Sequence, residues 1–120
     1  MKKTVSQKMI VKDNQTAEYL GSGLLPVLST PALVAFMENT AMQLIELPQR
    51  TSSVGTAINI KHLKASKIGD CIRCFATLIS NEGKIYCFEL KAFNEKGELI
   101  GEATHERYII DIKIFMAKLQ

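Results

Sequence analysis

One long apolar helix is predicted in a chain whose other segments read mostly as β-strands, and this imbalance constrains the fold most. We expect the helix from Pro31 to Leu47, because apolar residues recur there at helical spacing and Pro48 ends the pattern. Thr30 stands where an N-cap is expected, and Pro31 stands at the first helical position, where its missing N–H costs nothing. A helix that is apolar around most of its circumference must be buried on more than one side.

Five strand-like segments flank this helix in the sequence. Alternation of apolar and polar residues places them at residues 4–12, 53–65, 71–81, 85–93 and 98–111. The turns around Gly83 and Gly97 predict hairpins, and hairpins join antiparallel neighbours. Residues 112–120 have the composition of a short terminal helix. We therefore expect a single α+β domain over residues 1–120, in which a long antiparallel sheet curls around one helix.

The composition is that of an ordinary globular protein. Hydrophobic residues make up 47% of the chain and charged residues 22%, which excludes a disordered class. The net charge of +3 is spread along the chain without a basic block, so it favours nucleic acid no more than an anionic ligand. No signal peptide and no apolar run long enough to span a membrane is evident, and a cytoplasmic location is expected.

The three cysteines fit that location. Cys71 and Cys74 have the C-x-x-C spacing of some zinc and redox sites, but they lie within an alternating strand pattern. Residues three apart in a strand point to opposite faces, so the two thiols are expected to diverge. Together with Cys87, they are predicted to be reduced structural residues.

Three residues are candidates for chemistry: Thr30, Glu38 and His62. Glu38 falls among apolar residues of the helix, either on a solvated edge or inside a pocket. His62 continues an apolar strand face and is either a core histidine or part of a site. Thr30 and Glu38 are separated by about 12 Å along the helix axis, too far for direct contact. The free N–H groups at the helix N-terminus would suit a developing oxyanion.

The second histidine lies in a segment of alternating charged and small residues. There Glu102, His105, Glu106 and Arg107 are expected to form structural or surface ion pairs. The sequence contains no Gly-rich phosphate loop and no metal-ligand spacing. We therefore expect any catalysis to use side chains, the helix terminus and water, with no metal or cofactor.

Several motifs in a fixed order resemble one known family. They are L-S-T-P-A-L-V-A-F-M-E at 28–38, S-V-G-T at 53–56, N-I-K-H-L at 59–63, I-G-D at 68–70 and G-E-A-T-H-E-R at 101–107. Together they resemble the fluoroacetyl-CoA thioesterase-like group of hotdog-fold proteins, over roughly residues 5 to 111. The resemblance implies a long helix wrapped by a five- or six-stranded antiparallel sheet. It also implies a homodimer with active sites at the subunit interface, and leaves open the pairing of dimers into tetramers.

The same resemblance implies hydrolysis of an acyl-CoA thioester, with coenzyme A as part of the substrate. Neither a nucleic acid nor a membrane is expected as a partner. It assigns catalysis to Thr30, Glu38 and His62, with Glu38 acting as nucleophile or general base. Substrate-binding residues are expected at the following positions: Gly69, Leu25, Val27 and Phe36.

Alternatives stay open both for the acyl group of the substrate and for whether the protein is catalytic. The loop at residues 24–28 is aliphatic and has no aromatic side chain, which favours a short-chain acyl-CoA or another activated thioester over fluoroacetyl-CoA. Lys61, Lys64 and Lys67 are available to the phosphates of CoA. A non-catalytic module that binds acyl-CoA or another metabolite is the main alternative, and a structural or nucleic-acid-associated protein is favoured only by the charge.

Overall fold

Alternating polar and apolar residues form one antiparallel sheet in the computed structural model, which describes residues 3–120. The strands are β1 (Thr4–Ile10), β2 (Thr51–His62), β3 (Cys71–Glu82), β4 (Ile85–Phe93) and β5 (Leu99–Asp111). The helices are α1 (Ala17–Leu20), α2 (Thr30–Met42) and α3 (Ile112–Ala117), and a 3₁₀ turn spans Asp13–Gln15. All five predicted strands and both predicted helices are present, so the α+β class is confirmed.

The order of strands across the sheet is β1-β3-β4-β5-β2. The consecutive strands β3, β4 and β5 are joined by tight turns at Gly83 (φ +61°) and Gly97 (φ +78°), where the left-handed backbone favours glycine. The strand that follows the long helix, β2, pairs within the described residues only with β5 and forms one edge of the sheet. Its outer edge therefore carries backbone groups that are free to pair with another strand.

Helix α2 packs one face against the sheet. Its buried residues follow the spacing of a single helical stripe: Leu33, Phe36, Met37, Thr40 and Ala41. Ala35 and Met42 on the other side are exposed. The expectation that the helix is buried on more than one side is therefore wrong within one protomer.

The helix is also shorter than predicted, since it ends at Met42 rather than Leu47. The amides of Leu44 and Ile45 bond to carbonyls three residues back, which closes the last turn. Ile45, only 7% exposed, then enters the core from irregular backbone. The burial of this side chain ends the helix before Pro48 can do so.

The close approach of α2 to the sheet depends on Gly101 of β5. A Cβ at this position would lie 2.9 Å from Leu33 Cδ2 and 3.3 Å from the carbonyl oxygen of Lys61. Strand β2 ends at His62 because the amides of Leu63 and Lys64 both turn to the carbonyl of Ile100. The predicted strand limits at 12 and 65 are therefore two or three residues too long.

The cysteines diverge as predicted. Cys74 is buried on the inner face of β3, whereas Cys71 is half-buried, and all three thiols are free. Burial raises the pKa of Cys74 to about 11, which makes it an unreactive core residue at neutral pH. Among the described residues no helix is long and apolar enough to cross a membrane.

Candidate active site

At the N-terminus of α2, one residue caps the helix and the next contacts a candidate catalytic residue. Ser29, not Thr30, is the N-cap: its Oγ accepts a hydrogen bond from the Ala32 amide at 3.1 Å. The prediction of Thr30 as N-cap and Pro31 as first helical residue is therefore wrong by one position. Ser29 has the extended backbone of a cap, so Thr30 is already helical and its hydroxyl is free for another partner.

That partner is His62. Thr30 Oγ1 lies 2.8 Å from Nδ1 of His62, the last residue of β2. Burial lowers the pKa of His62, so its ring is neutral at neutral pH. Its Nε2 is buried and has no hydrogen-bond partner in the described residues. Buried polar atoms rarely lack a partner in folded proteins, so this nitrogen stands out as a candidate functional atom.

One backbone donor of the first helical turn is also free. The Ser29 amide donates to Gln15 O at 2.9 Å, Pro31 has no N–H, and the Ala32 amide is capped. The amide of Thr30 has no acceptor in the described part of the chain. Thr30 therefore offers a backbone N–H and a hydroxyl at the positive end of the helix.

A cleft of about 320 Å³ lies beside this pair. Its volume is in the range of small-molecule sites. Its walls mix apolar loop residues with the site residues and one lysine: Ala17, Ser22, Val27, Leu28, Ser29, Thr30, His62, Leu63, Lys64 and Ala65.

Glu38 lies in a different place within the protomer. Its side chain is 36% exposed, and its Oε2 is 3.8 Å from Arg107 Nη1 and 3.9 Å from His105 Nε2. It forms no hydrogen bond or ion pair with Thr30 or His62 among the described residues. The expectation that the helix spacing keeps Thr30 and Glu38 apart therefore agrees with the structure.

His105 and Arg107 are not surface residues. They are 4% and 7% exposed, on the inner face of β5. The sequence predicted structural or surface ion pairs for these residues, and their burial leaves only the structural role. The alternation along β5 indicates this burial from the sequence, because successive odd-numbered residues point to the same face. His105 and Arg107 therefore share the inner face with Gly101 and Ala103.

Gly55 of β2 is a further residue at this position that the sequence reasoning missed. A Cβ there would lie 2.5 Å from Glu38 Oε2 and 3.2 Å from His105 Cε1. The glycine therefore makes room for the carboxylate. A glycine inside a strand pattern is the signal, since it marks a close approach of another group.

The four predicted substrate-binding residues are dispersed. Val27 lines the cleft beside Thr30, and Leu25 is 63% exposed in the preceding loop. Phe36 is buried in the core. Gly69 lies in the turn before β3 with φ +96°, and apart from its chain neighbours no atom of the described residues comes within 4 Å of its Cβ position. A side chain at Gly69 would therefore contact none of the three predicted catalytic residues.

Comparison with known proteins identifies relatives of this arrangement. The profile of the fluoroacetyl-CoA-specific thioesterase family, FlK, matches residues 11–113. A fluoroacetyl-CoA thioesterase of Streptantibioticus cattleyicolor is 32% identical over 96 residues, which span 78% of this chain and 68% of that protein.

Solved structures agree with the sequence match. A structure of the fluoroacetyl-CoA thioesterase FlK has a TM-score of 0.92 at 26% identity, covering 98% of this chain and 92% of that one. A variant of FlK in complex with acetyl-CoA gives a TM-score of 0.91 at 26% identity, covering 98% and 93%. The expected hotdog fold and acyl-CoA thioesterase activity are confirmed, and the chain belongs to the fluoroacetyl-CoA-specific thioesterase family.

Proposed function

We propose that this protein hydrolyses a short-chain acyl-CoA thioester to the free acid and CoA, at a site that Thr30, Glu38 and His62 form across a homodimer interface. The observation that carries the proposal is the Thr30–His62 pair, 2.8 Å apart, with a free backbone N–H and a buried, unpartnered Nε2 beside it. The acetyl-CoA bound by the FlK variant supports a short acyl group.

The dimer is proposed from the open edge of β2. Antiparallel pairing of this strand with its copy, about a two-fold axis at Asn59, sets Ile60 opposite Ile58 of the partner subunit. Across the bulge between Gly55 and Ala57, it then sets His62 opposite Gly55 of the partner subunit. Gly55 lies against Glu38. The same pairing would therefore bring the carboxylate of one protomer toward the Thr30–His62 pair of the other, and would complete the site.

The proposed chemistry assigns one step to each group. The Thr30 amide holds the thioester oxygen as negative charge develops on it. Glu38 takes a proton from the attacking water, or attacks the carbonyl carbon itself. The Thr30 hydroxyl donates to Nδ1 of His62, so the proton of the neutral ring is on Nε2, where it donates a hydrogen bond to the departing thiolate. When water attacks, it supplies the hydroxyl of the acid, and the proton held by Glu38 passes to the thiolate. When Glu38 attacks, the thiolate leaves, and water hydrolyses the mixed anhydride to the acid and restores the carboxylate.

The CoA moiety is proposed to follow the rim of the cleft. Lys64 lines the cleft and also pairs with Glu98, and Lys61 and Lys67 flank it in sequence. These cations suit the phosphates of CoA. The reaction as proposed uses side chains, a backbone donor and water, with no further cofactor, and the proposed setting is the cytoplasm.

A thiol-release assay over a panel of acyl-CoAs of increasing chain length tests the proposal. We expect the highest kcat/KM for the shortest acyl groups. Glu38→Gln and His62→Ala should each lower kcat/KM by about 100-fold or more. Thr104→Val, an exposed change on the opposite face of β5, is the matched control and should leave it unchanged. Full activity in both site variants would overturn the residue assignment.

A further inference from the structure

The imidazole of His105 has one tautomer that its neighbours permit. Its Nδ1 lies 2.7 Å from the carbonyl oxygen of Ala57, which can only accept, so Nδ1 carries the proton. In a neutral ring Nε2 is then a bare acceptor. Arg107 Nη1, which can only donate, lies 3.1 Å from Nε2. The two neighbours thus fix the ring orientation and both nitrogen roles.

The surroundings keep this ring neutral. Burial lowers the pKa of His105, and the positive charge of Arg107 lowers it further. The hydrogen bond to Ala57 and the carboxylates of Glu38 and Glu106 raise it, but the net direction is down. At neutral pH the ring is therefore available to accept a hydrogen bond.

The guanidinium of Arg107 is held on three of its donors. Its Nε donates to Ser53 Oγ at 2.8 Å, Nη2 donates to Ser53 O at 3.0 Å, and Nη1 donates to His105. Ser53 belongs to β2 and His105 to β5, so both strands fix the plane of the guanidinium. A second N–H on Nη1 remains, and this nitrogen is the one 3.8 Å from Glu38 Oε2.

One carboxylate oxygen of Glu38 lies near both His105 and Arg107. The nearest carboxylate oxygen to Arg107 and to His105 is Oε2 in both cases, and the missing side chain at Gly55 gives it space. A cation fixed beside Oε2 orients the carboxylate and leaves Oε1 for the reaction.

We propose that His105 is a positioning residue, which accepts a hydrogen bond from Arg107 and thereby holds the guanidinium against Oε2 of Glu38. The effect on turnover rests on the proposed function, because it requires Glu38 to act on the thioester. The tautomer and the hydrogen bond do not, because they belong to the folded protein alone.

Nitrogen-15 NMR of the imidazole rings tests the arrangement without substrate. At pH 7 the signals that disappear in His105→Gln should show a protonated Nδ1 and an unprotonated Nε2. In Arg107→Lys the Nε2 signal of His105 should move, because the donor fork is lost. A ring protonated on Nε2, or an unchanged signal in Arg107→Lys, would overturn the proposal.

Kinetics then tests the effect on Glu38. We expect His105→Leu to lower kcat by about tenfold or more with KM nearly unchanged, since orientation and not binding is lost. His105→Gln keeps a donor and an acceptor and should recover part of the loss. Thr104→Val on the outer face is the control. Wild-type kcat in His105→Leu would contradict the proposal.

Two further outcomes have distinct meanings. If His105→Leu does not fold, Arg107→Lys replaces it, because this variant keeps the charge and should still lower kcat. If the wild-type protein releases no thiol from any acyl-CoA, the proposed function fails and the proposed effect on turnover fails with it. The NMR result shows in that case whether the hydrogen-bond arrangement itself is correct.

Discussion

The Thr30 hydroxyl lies 2.8 Å from Nδ1 of His62, and it is not used to cap the helix that Thr30 begins. The cap is supplied by the preceding residue, Ser29. Neighbouring hydroxyls thus have separate tasks, one in holding the helix and one in the proposed site. Substitution can therefore separate stability from catalysis at this terminus.

Thr30→Val should affect activity and not folding. Valine keeps the branched shape but removes the hydroxyl that contacts His62, so we expect kcat/KM to fall by about tenfold or more. The melting temperature should stay close to that of the wild type. Ser29→Ala should instead cost about 1 kcal/mol of the free energy of unfolding. Thiol release and urea denaturation measure the two effects, with Thr30→Ser as the control that keeps the hydroxyl.

Two glycines under α2 should respond differently to alanine. In Gly55→Ala the new methyl would lie 2.5 Å from the flexible end of Glu38 and 3.2 Å from His105 Cε1, so the carboxylate moves aside. We expect kcat to fall by about tenfold with little loss of stability. In Gly101→Ala the methyl meets Leu33 at 2.9 Å and backbone at 3.3 Å, which should cost about 1–3 kcal/mol. Thermal unfolding beside the kinetic assay distinguishes them, and full activity of Gly55→Ala would contradict the placement of Glu38.

Acid should destabilise the folded protein through both histidines. The pKa values of His62 and His105 are lowered from the ordinary 6.5, chiefly by burial. Below about pH 6.5 the unfolded chain therefore binds more protons than the folded chain. The free energy of unfolding should be highest above this pH and fall as the pH drops toward the lowered values. Urea denaturation at pH 7.5, 6.5 and 5.5 measures the slope, which the double variant His62→Gln and His105→Gln should reduce.

Subunit mixing should restore activity if the site spans two protomers. Glu38→Gln and His62→Ala are each expected to be inactive alone. A heterodimer of the two would contain one site with both native residues. Random exchange makes half of the dimers mixed, so about one quarter of all sites should recover. Thiol release after co-refolding measures this, and no recovery despite formation of mixed dimers would indicate that each protomer contributes all three groups.

The architecture followed from local rules that the chain obeys. Alternation and the turns at Gly83 and Gly97 predicted the strands and their antiparallel pairing. The end of α2 was missed because it depends on a long-range contact, the burial of Ile45 in the core. No property of residues 43–47 taken alone distinguishes a last helical turn from the observed irregular backbone.

The site was predictable only in part, for similar reasons. Ser29 and Thr30 are both good capping residues, so the sequence could not decide which hydroxyl is used and which is free. His105 and Arg107 were assigned by their charge, although strand parity placed them inside. The neighbours of Glu38, which lies on α2, come from two other elements, β2 and β5, and only the sheet register brings them together.

If the proposed dimer forms through the open edge of β2, the activity of this protein depends on its concentration. A lone protomer would hold half of each proposed site and a strand of 12 residues with one side unpaired. By mass action, dilution would then remove activity and at the same time expose an edge that adds strands without selectivity. Activity and protection from aggregation would rise together as the protein accumulates in the cell.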